Sequence, residues 1–247
     1  MAAVLSGVLF QRIREFFGRP VFSPRRYWED RHQAFAGTLA AVGHARLSDE
    51  ANAEQYTIKS ERIAAMIRRC HDGESGDALL DAGCGVGMLT PLYMEMGFIV
   101  MGVDFSETAI AQARLRCPAA AFHSADLARL QLRRAFDVIV VADVLQHIID
   151  DHRFRATLER LREHMKKDGC LIVLDSFSVP NEKSAPHCNR RTLDHFELEL
   201  RSLGLRMTHH ESFRLRHENA IKDLLAVRRI ASESLTSESV VNSRTCR

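Results

Sequence analysis

The chain has 247 residues, 46% hydrophobic and 27% charged, with a formal net charge of +2. This is an ordinary composition for a soluble globular protein, and the length suits one α/β domain with extensions. A balance so near neutral argues against nucleic acid or an anionic membrane as a required partner. Six cysteines, at 70, 84, 117, 170, 188 and 246, form no CxxC pair and no zinc-like spacing. Free thiols in a reduced, cytoplasmic protein are therefore expected.

Residues 1–22 carry Leu5, Val8, Leu9, Phe10, Ile13, Phe16 and Phe17 between polar neighbours, and Gly18 and Pro20 end the pattern. This is an amphipathic helix, expected to pack on the domain or on a second copy of the chain as a homodimer. It has too few flanking cations for stable membrane insertion, and surface association is the most it would support. Arg12 and Arg14 interrupt it, and no cleavage site follows, so secretion is not expected. Residues 20–43 hold the single tryptophan, Trp28, among aromatic and charged side chains. They read as a packing anchor for the N-terminal arm or as a substrate-facing wall.

Residues 49–70 read as a helix with Tyr56, Ile58, Ile63, Met66 and Ile67 on its apolar side. Beyond it, apolar strand patterns at 78–82, 98–103, 120–123, 136–142 and 170–174 alternate with helical patterns at 88–96, 108–116 and 154–165. Such alternation predicts βαβ units in a mostly parallel sheet with helices on both faces. A further helix at 192–203 precedes strands at 205–212 and 223–230, whose connection is too short for a helical crossover. They are expected to pair as an antiparallel hairpin at the sheet edge. The fold class is thus a Rossmann-like, doubly wound seven-stranded sheet with an N-terminal helical extension. The expected organisation is a helical arm or lid over 1–50, a ligand-binding domain over 51–231 and a disordered polar tail over 232–247.

The stretch ALLDAGCGVGMLT, Ala78 to Thr90, runs from a strand into glycines at 83, 85 and 87 and then into a helix. Strand, glycine turn and helix together build a nucleotide site. A phosphate-cradling loop needs a lysine that this turn lacks. A dinucleotide site wants a small residue where Met88 stands, which disfavours a nicotinamide-dependent oxidoreductase. Asp104 and Asp126 end the second and third strand regions at the edge where open α/β sheets bind ligands. Acids there suit ribose hydroxyls and an adenine amino group, although each could also cap the helix that follows.

LLDAGCGVG at 79–87, GVDFS at 102–106, SADL at 124–127, FDVIVVADVLQHI at 136–148 and KKDGCLIVLD at 166–175 come in an order and at a spacing that resemble the class I S-adenosylmethionine-dependent methyltransferases. The resemblance covers residues 54–230 and makes 51–231 a methyltransferase domain, with S-adenosylmethionine as the cofactor. It implies that Asp81, Gly83, Cys84, Gly85 and Gly87 hold the methionine end. Asp104, with Phe105 and Ser106, would take the ribose hydroxyls, and Asp126 with Leu127 would frame the adenine. Ala142, Asp143 and Val144 would line the other side. Arg62 is similar in placement to a basic residue that reaches the cofactor carboxylate in some members. One departure is Lys167-Asp168-Gly169 before the fifth strand, where members commonly have Pro-Gly-Gly; it leaves that turn's geometry open.

His147, just beyond the fourth strand, is the candidate base for an acceptor that must lose a proton, with Asp150 or Asp151 placed to orient it. It could equally pack against the cofactor without doing chemistry. Trp28, His187, Arg190 and Arg191 fall where the acceptor pocket is expected, and the arginines suit a carboxylate or phosphate. No set of oxygen ligands converges there, so no metal is expected. No basic stripe accompanies the site, so no nucleic acid is expected either. The reading is a methyltransferase for a small-molecule or glycan-like acceptor, at oxygen; a cofactor-binding regulatory subunit without turnover is the alternative outside the enzymes.

Overall fold

The computed structural model describes residues 22–73, 75–177, 185–216 and 221–231. The N-terminal amphipathic stretch, up to Pro20, and the polar tail beyond Ala231 lie outside the described residues. No described helix is long and apolar enough to cross a membrane.

Seven strands form one sheet: β1 (Ala78–Ala82), β2 (Ile99–Asp104), β3 (Ala121–Ser124), β4 (Phe136–Ala142), β5 (Met165–Asp175), β6 (Leu205–Arg214) and β7 (Ile221–Arg229). Their spatial order is β3-β2-β1-β4-β5-β7-β6. The first five run parallel, and β7 is inserted antiparallel between β5 and β6. The expected hairpin is present. The helices are α1 (Pro24–Ala34), α2 (Asp49–Cys70), α3 (Thr90–Glu95), α4 (Glu107–Arg116), α5 (Asp151–His164) and α6 (Leu193–Ser202).

Side chains alternate across a strand, so β4 feeds two cores. Val138 and Val140 join Ile63, Met66 and Ile67 of α2 and Tyr93 of α3 on one face. Ile139 and Val141 join Phe154, Leu158 and Leu161 of α5 and Phe196 and Leu200 of α6 on the other. Each of these side chains contributes about 1.5–3 kcal/mol by leaving water. Truncating Ile139 to alanine should cost about 2–5 kcal/mol.

Local chemistry sets the boundaries. Ser48 caps α2, its hydroxyl accepting from the Ala51 N–H, and Asp49 and Glu50 occupy the first turn. Ser106, Asp150 and Thr192 cap α4, α5 and α6 in the same way. The departure at Lys167-Asp168-Gly169 is absorbed as a bulge within β5, where the register against β4 shifts between Phe136 and Val138. Gly169 is needed there because a Cβ would lie 2.9 Å from Met165 Cγ and 3.0 Å from the Phe136 carbonyl.

The 20–43 segment contains a helix that its charged and aromatic residues masked. Ser23 accepts from the Arg26 N–H and Pro24 opens the first turn. Arg31 then donates to the Ala40 carbonyl (2.8 Å) and to the Gly43 carbonyl, which fastens α1 to the chain entering α2.

Candidate functional site

A cleft of about 550 Å³ opens at the C-terminal edge of the parallel strands, between the glycine turn, the ends of β2–β4 and α1. Its floor is the turn after β1. The N–H groups of Gly83 and Cys84 donate to the Val103 carbonyl (2.7 and 3.0 Å), which ties the turn to β2. Gly83 has φ +79°, and a Cβ there would stand 2.3 Å from a methyl of Val144. Only glycine permits that backbone and that approach.

Three carboxylates face this floor. Asp81 is buried, accepts from the Thr90 hydroxyl (3.1 Å), and is pushed up to about 7 by burial. Asp104 accepts from the Gly85 N–H (3.0 Å) and the Ser106 N–H (2.9 Å); burial still raises it to about 6. Asp126 accepts from the Ala128 N–H (3.1 Å), capping the short 3-10 turn Leu127–Arg129, and pairs with Arg153 (2.7 Å). Capping is therefore part of what Asp126 does, whereas the cap of α4 is Ser106.

The opposite wall follows β4. Ala142, Asp143 and Val144 line the cleft, and Asp143 is the one non-glycine among the described residues with positive φ, at 56°. Burial alone would raise its pKa, but Lys222 and Lys59 outweigh that and hold the carboxyl well below the usual range. Both ammonium groups touch it, Lys59 at 2.7 Å, and both lysines are buried. This clamp, joining α2 and β7, over-determines a backbone conformation that is costly for aspartate.

His147 ends the 3-10 turn Leu145–His147, which Asp175 of β5 fixes by accepting from the Gln146 N–H (3.0 Å). Its Nδ1 donates to the His187 carbonyl (3.0 Å), so the lone pair is on Nε2. Burial pushes this imidazole down to about 4, against the pull of that carbonyl, so it is neutral at pH 7. Neither acid foreseen as its orienter does that work. Asp150 caps α5, and Asp151 pairs with Arg191 (2.7 Å).

Most of the expected cofactor residues meet in the cleft: Asp81, Gly83, Cys84, Gly85, Asp104, Phe105, Asp126, Leu127, Ala142, Asp143 and Val144 all line it. Gly87 packs instead on α4, with Ala113 3.2 Å from where its Cβ would be. Ser106 is buried, capping α4 and bonding His32 of α1 (2.9 Å). Arg62 is not brought to the cleft: it reaches Glu211 of β6 (3.8 Å) and covers the Phe213 ring. One turn earlier on α2, Lys59 points to the site in its place, at Asp143.

On the acceptor side, Trp28 lines the cleft and meets His147 edge-on at 4.8 Å. His187 stacks on Tyr27 at 4.9 Å. Arg190 does not line the cleft. Arg191 is buried and its guanidinium is fully engaged, by Asp151, the Ile148 and Asn189 carbonyls and the Phe154 ring 3.7 Å away. It pins the loop rather than presenting a charge to a ligand. The sequence reading missed His32, Tyr56, Val42 and Arg25, which also line the cleft. Ser23-Pro24 is the signal that would have found α1 and its cleft-facing residues.

The family model for nodulation protein S (NodS) matches residues 41–183. A dTDP-3-amino-3,6-dideoxy-alpha-D-glucopyranose N,N-dimethyltransferase of Streptomyces fradiae is 29% identical over 128 residues, 51% of this chain and 49% of that protein. A ubiquinone biosynthesis O-methyltransferase of Rhodopseudomonas palustris (strain TIE-1) is 31% identical over 102 residues, 40% of this chain and 39% of that one. The matched stretch thus spans half or less of these relatives' lengths. The fold is that of the magnesium protoporphyrin IX methyltransferase of Synechocystis PCC 6803, solved with bound SAM: TM-score 0.65 at 20% identity, covering 85% of this chain and 100% of that one. With more than half of its length matched by that model, the chain belongs to the nodulation protein S (NodS) family and has the class I methyltransferase fold.

Proposed function

We propose that the protein is an S-adenosylmethionine-dependent methyltransferase acting on a hydroxyl of a small, ring-bearing, glycan-like acceptor. The observation that carries the reading is the convergence of Asp81, Asp104 and Asp126 on one glycine floor. Their carboxyl oxygens suit ribose hydroxyls, an adenine amino group and the ligand's cationic end. The relatives named for methyl transfer support the same reading.

Bound S-adenosylmethionine supplies an electrophilic methyl group whose leaving group is a neutral thioether. The protein's share is chiefly positioning, which can be worth on the order of 7–11 kcal/mol. Val144, wedged on Gly83, fixes the distance between the floor and the wall that carries His147. Asp175 and the His187 carbonyl hold the His147 ring with its Nε2 lone pair free. That nitrogen would accept a hydrogen bond from the acceptor's O–H, aim the oxygen lone pair, and take up the proton that the oxygen loses as the C–O bond forms. Trp28 supplies a flat apolar face suited to a ring.

A second reading, transfer to an amine, is favoured by the low basicity of His147. An imidazole with a pKa of about 4 is a weak base, and a neutral amine needs aiming but no deprotonation. Labelled-methyl transfer to a panel of sugar and quinol hydroxyls and amino sugars, with mass spectrometry of the products, separates the two. Cofactor binding without transfer to any of them would favour a regulatory subunit, and binding of reduced nicotinamide in its place would overturn the reading.

A further inference from the structure

His147, His187 and Cys188 bring two ring nitrogens and a thiol to within 4.8 Å of one another, from the turn after β4 and the loop before α6. The Cys188 Sγ lies 3.4 Å from His147 Nδ1. Zinc bonds of about 2.3 Å to sulfur and 2.0–2.1 Å to nitrogen set at a tetrahedral angle require an N–S edge of roughly 3.6 Å. Two of the three donors thus already stand at the spacing of a shared ion. The His187 ring, on a loop side chain, closes the remainder by rotating.

The two segments are pinned to each other without any ion. The Asn189 N–H donates to the Gln146 carbonyl (2.7 Å), the Asn189 side chain donates to the Ile149 carbonyl (3.0 Å), and Arg191 donates to the Ile148 carbonyl (3.0 Å). The segments that carry the donors are therefore held in place beforehand, which lowers the ordering cost of binding. Trp28 against His147 and Tyr27 stacked on His187 form an aromatic shell. Such a shell limits water and strengthens a metal–ligand set.

We propose that His147, His187 and Cys188 form a binding site for a thiophilic divalent ion of the zinc class, beside the His147 wall of the cleft. The donor chemistry selects the ion: a thiolate and two imidazoles suit Zn²⁺ or Co²⁺ and do not suit Mg²⁺ or Ca²⁺. The ion takes the place of the proton that Nδ1 of His147 now donates to the His187 carbonyl, and Nε2 stays free. Three protein ligands leave a vacant position, the pattern of a Lewis-acid site and not of a structural one. Its use in holding the acceptor's heteroatom rests on the methyltransferase reading above; the binding of the ion does not.

The test uses the full chain, reduced, stripped with a chelator and titrated with Co²⁺ alone. The expected result is one ion per chain, with a thiolate-to-cobalt charge-transfer band in the near ultraviolet that Zn²⁺ displaces. Cys188→Ser should abolish the band, and His187→Asn should weaken cobalt binding at least tenfold, with unchanged far-ultraviolet circular dichroism in both. Cys70→Ser is the control, because Cys70 also faces a histidine, His209, at 3.7 Å. Loss of the band in that variant, its persistence in Cys188→Ser, or no ion retained by the folded parent protein would each overturn the site. Calorimetry of S-adenosylmethionine on the chelated protein tells the two readings apart: no heat there beside an intact cobalt band removes the methyltransferase reading and leaves the metal site standing.

Discussion

Gly83→Ala tests the join between floor and wall. The added Cβ would lie 2.3 and 2.9 Å from the two methyls of Val144 and 3.2 Å from its Cβ, on a backbone with φ +79°. The left-handed conformation costs a residue with a Cβ about 1–2 kcal/mol. The overlap adds about 1–3 kcal/mol, since a packed site must shift to admit a methyl group. The total is about 2–5 kcal/mol, measurable by urea denaturation as a lower midpoint at constant slope. The two costs separate in a double-mutant cycle. Val144→Ala removes the two methyls, so in Gly83→Ala/Val144→Ala the overlap should largely vanish while the backbone cost stays. The coupling should therefore be favourable by about 1–3 kcal/mol. Additive effects of the two substitutions would refute the idea that glycine is present to admit Val144.

The other predictions concern the same walls. Asp104→Ala should weaken S-adenosylmethionine binding at least tenfold by calorimetry, and unchanged affinity would sink the ribose assignment. His147→Ala should lower turnover of an identified acceptor while sparing cofactor affinity; equal turnover would leave His147 a packing residue. Lys222→Met leaves Asp143 with only Lys59 and should cost about 3–5 kcal/mol, as breaking a buried ion pair does. A loss below 1 kcal/mol would show that the clamp is not needed. For Asp81, burial raises the folded pKa to about 7, above the unfolded value, so its stabilisation is complete below the unfolded pKa and is lost as pH rises through 7. Asp81→Asn should then melt near the parent protein at pH 5 and above it at pH 8. The difference between the two melting curves is the measurement, because buried His32 and His147, pushed down to about 4, pull the parent profile the other way. A difference independent of pH would contradict the burial of an ionising Asp81.

The central sheet was legible because its signals are local. The apolar run of β4 and the alternation with helices need no tertiary knowledge, and β4 and α2 match their expected limits. The glycine turn and the acids at consecutive strand ends were legible for a similar reason, since strand ends define one edge. What escaped was set by long-range contact. The double lysine clamp joins residues 59, 143 and 222, and no periodicity links them. Arg62 and Lys59 are one turn apart on α2, and only the sheet's position decides which of them reaches the site. Arg191 read as a free charge until its partners, Asp151 and the Ile148 carbonyl, came into view. The limits of α1 within the expected helical arm were missed although its cap and proline were on the page, because its aromatic and charged residues suggested a surface.

The hairpin has a consequence for how the protein becomes competent. Lys222 is on β7, in a stretch beyond the residues that the family model matches, yet it completes the clamp on Asp143 at the cleft. The glycine floor and its three acids are all synthesised some hundred residues earlier in the chain. A nascent chain carrying them still lacks one of the two cations that hold the β4 wall in its left-handed turn. The wall is thereby completed only when the last strand docks. Leu224 to Val227 of the same strand fill both cores, so undocking it would open the core and unclamp the wall in a single event.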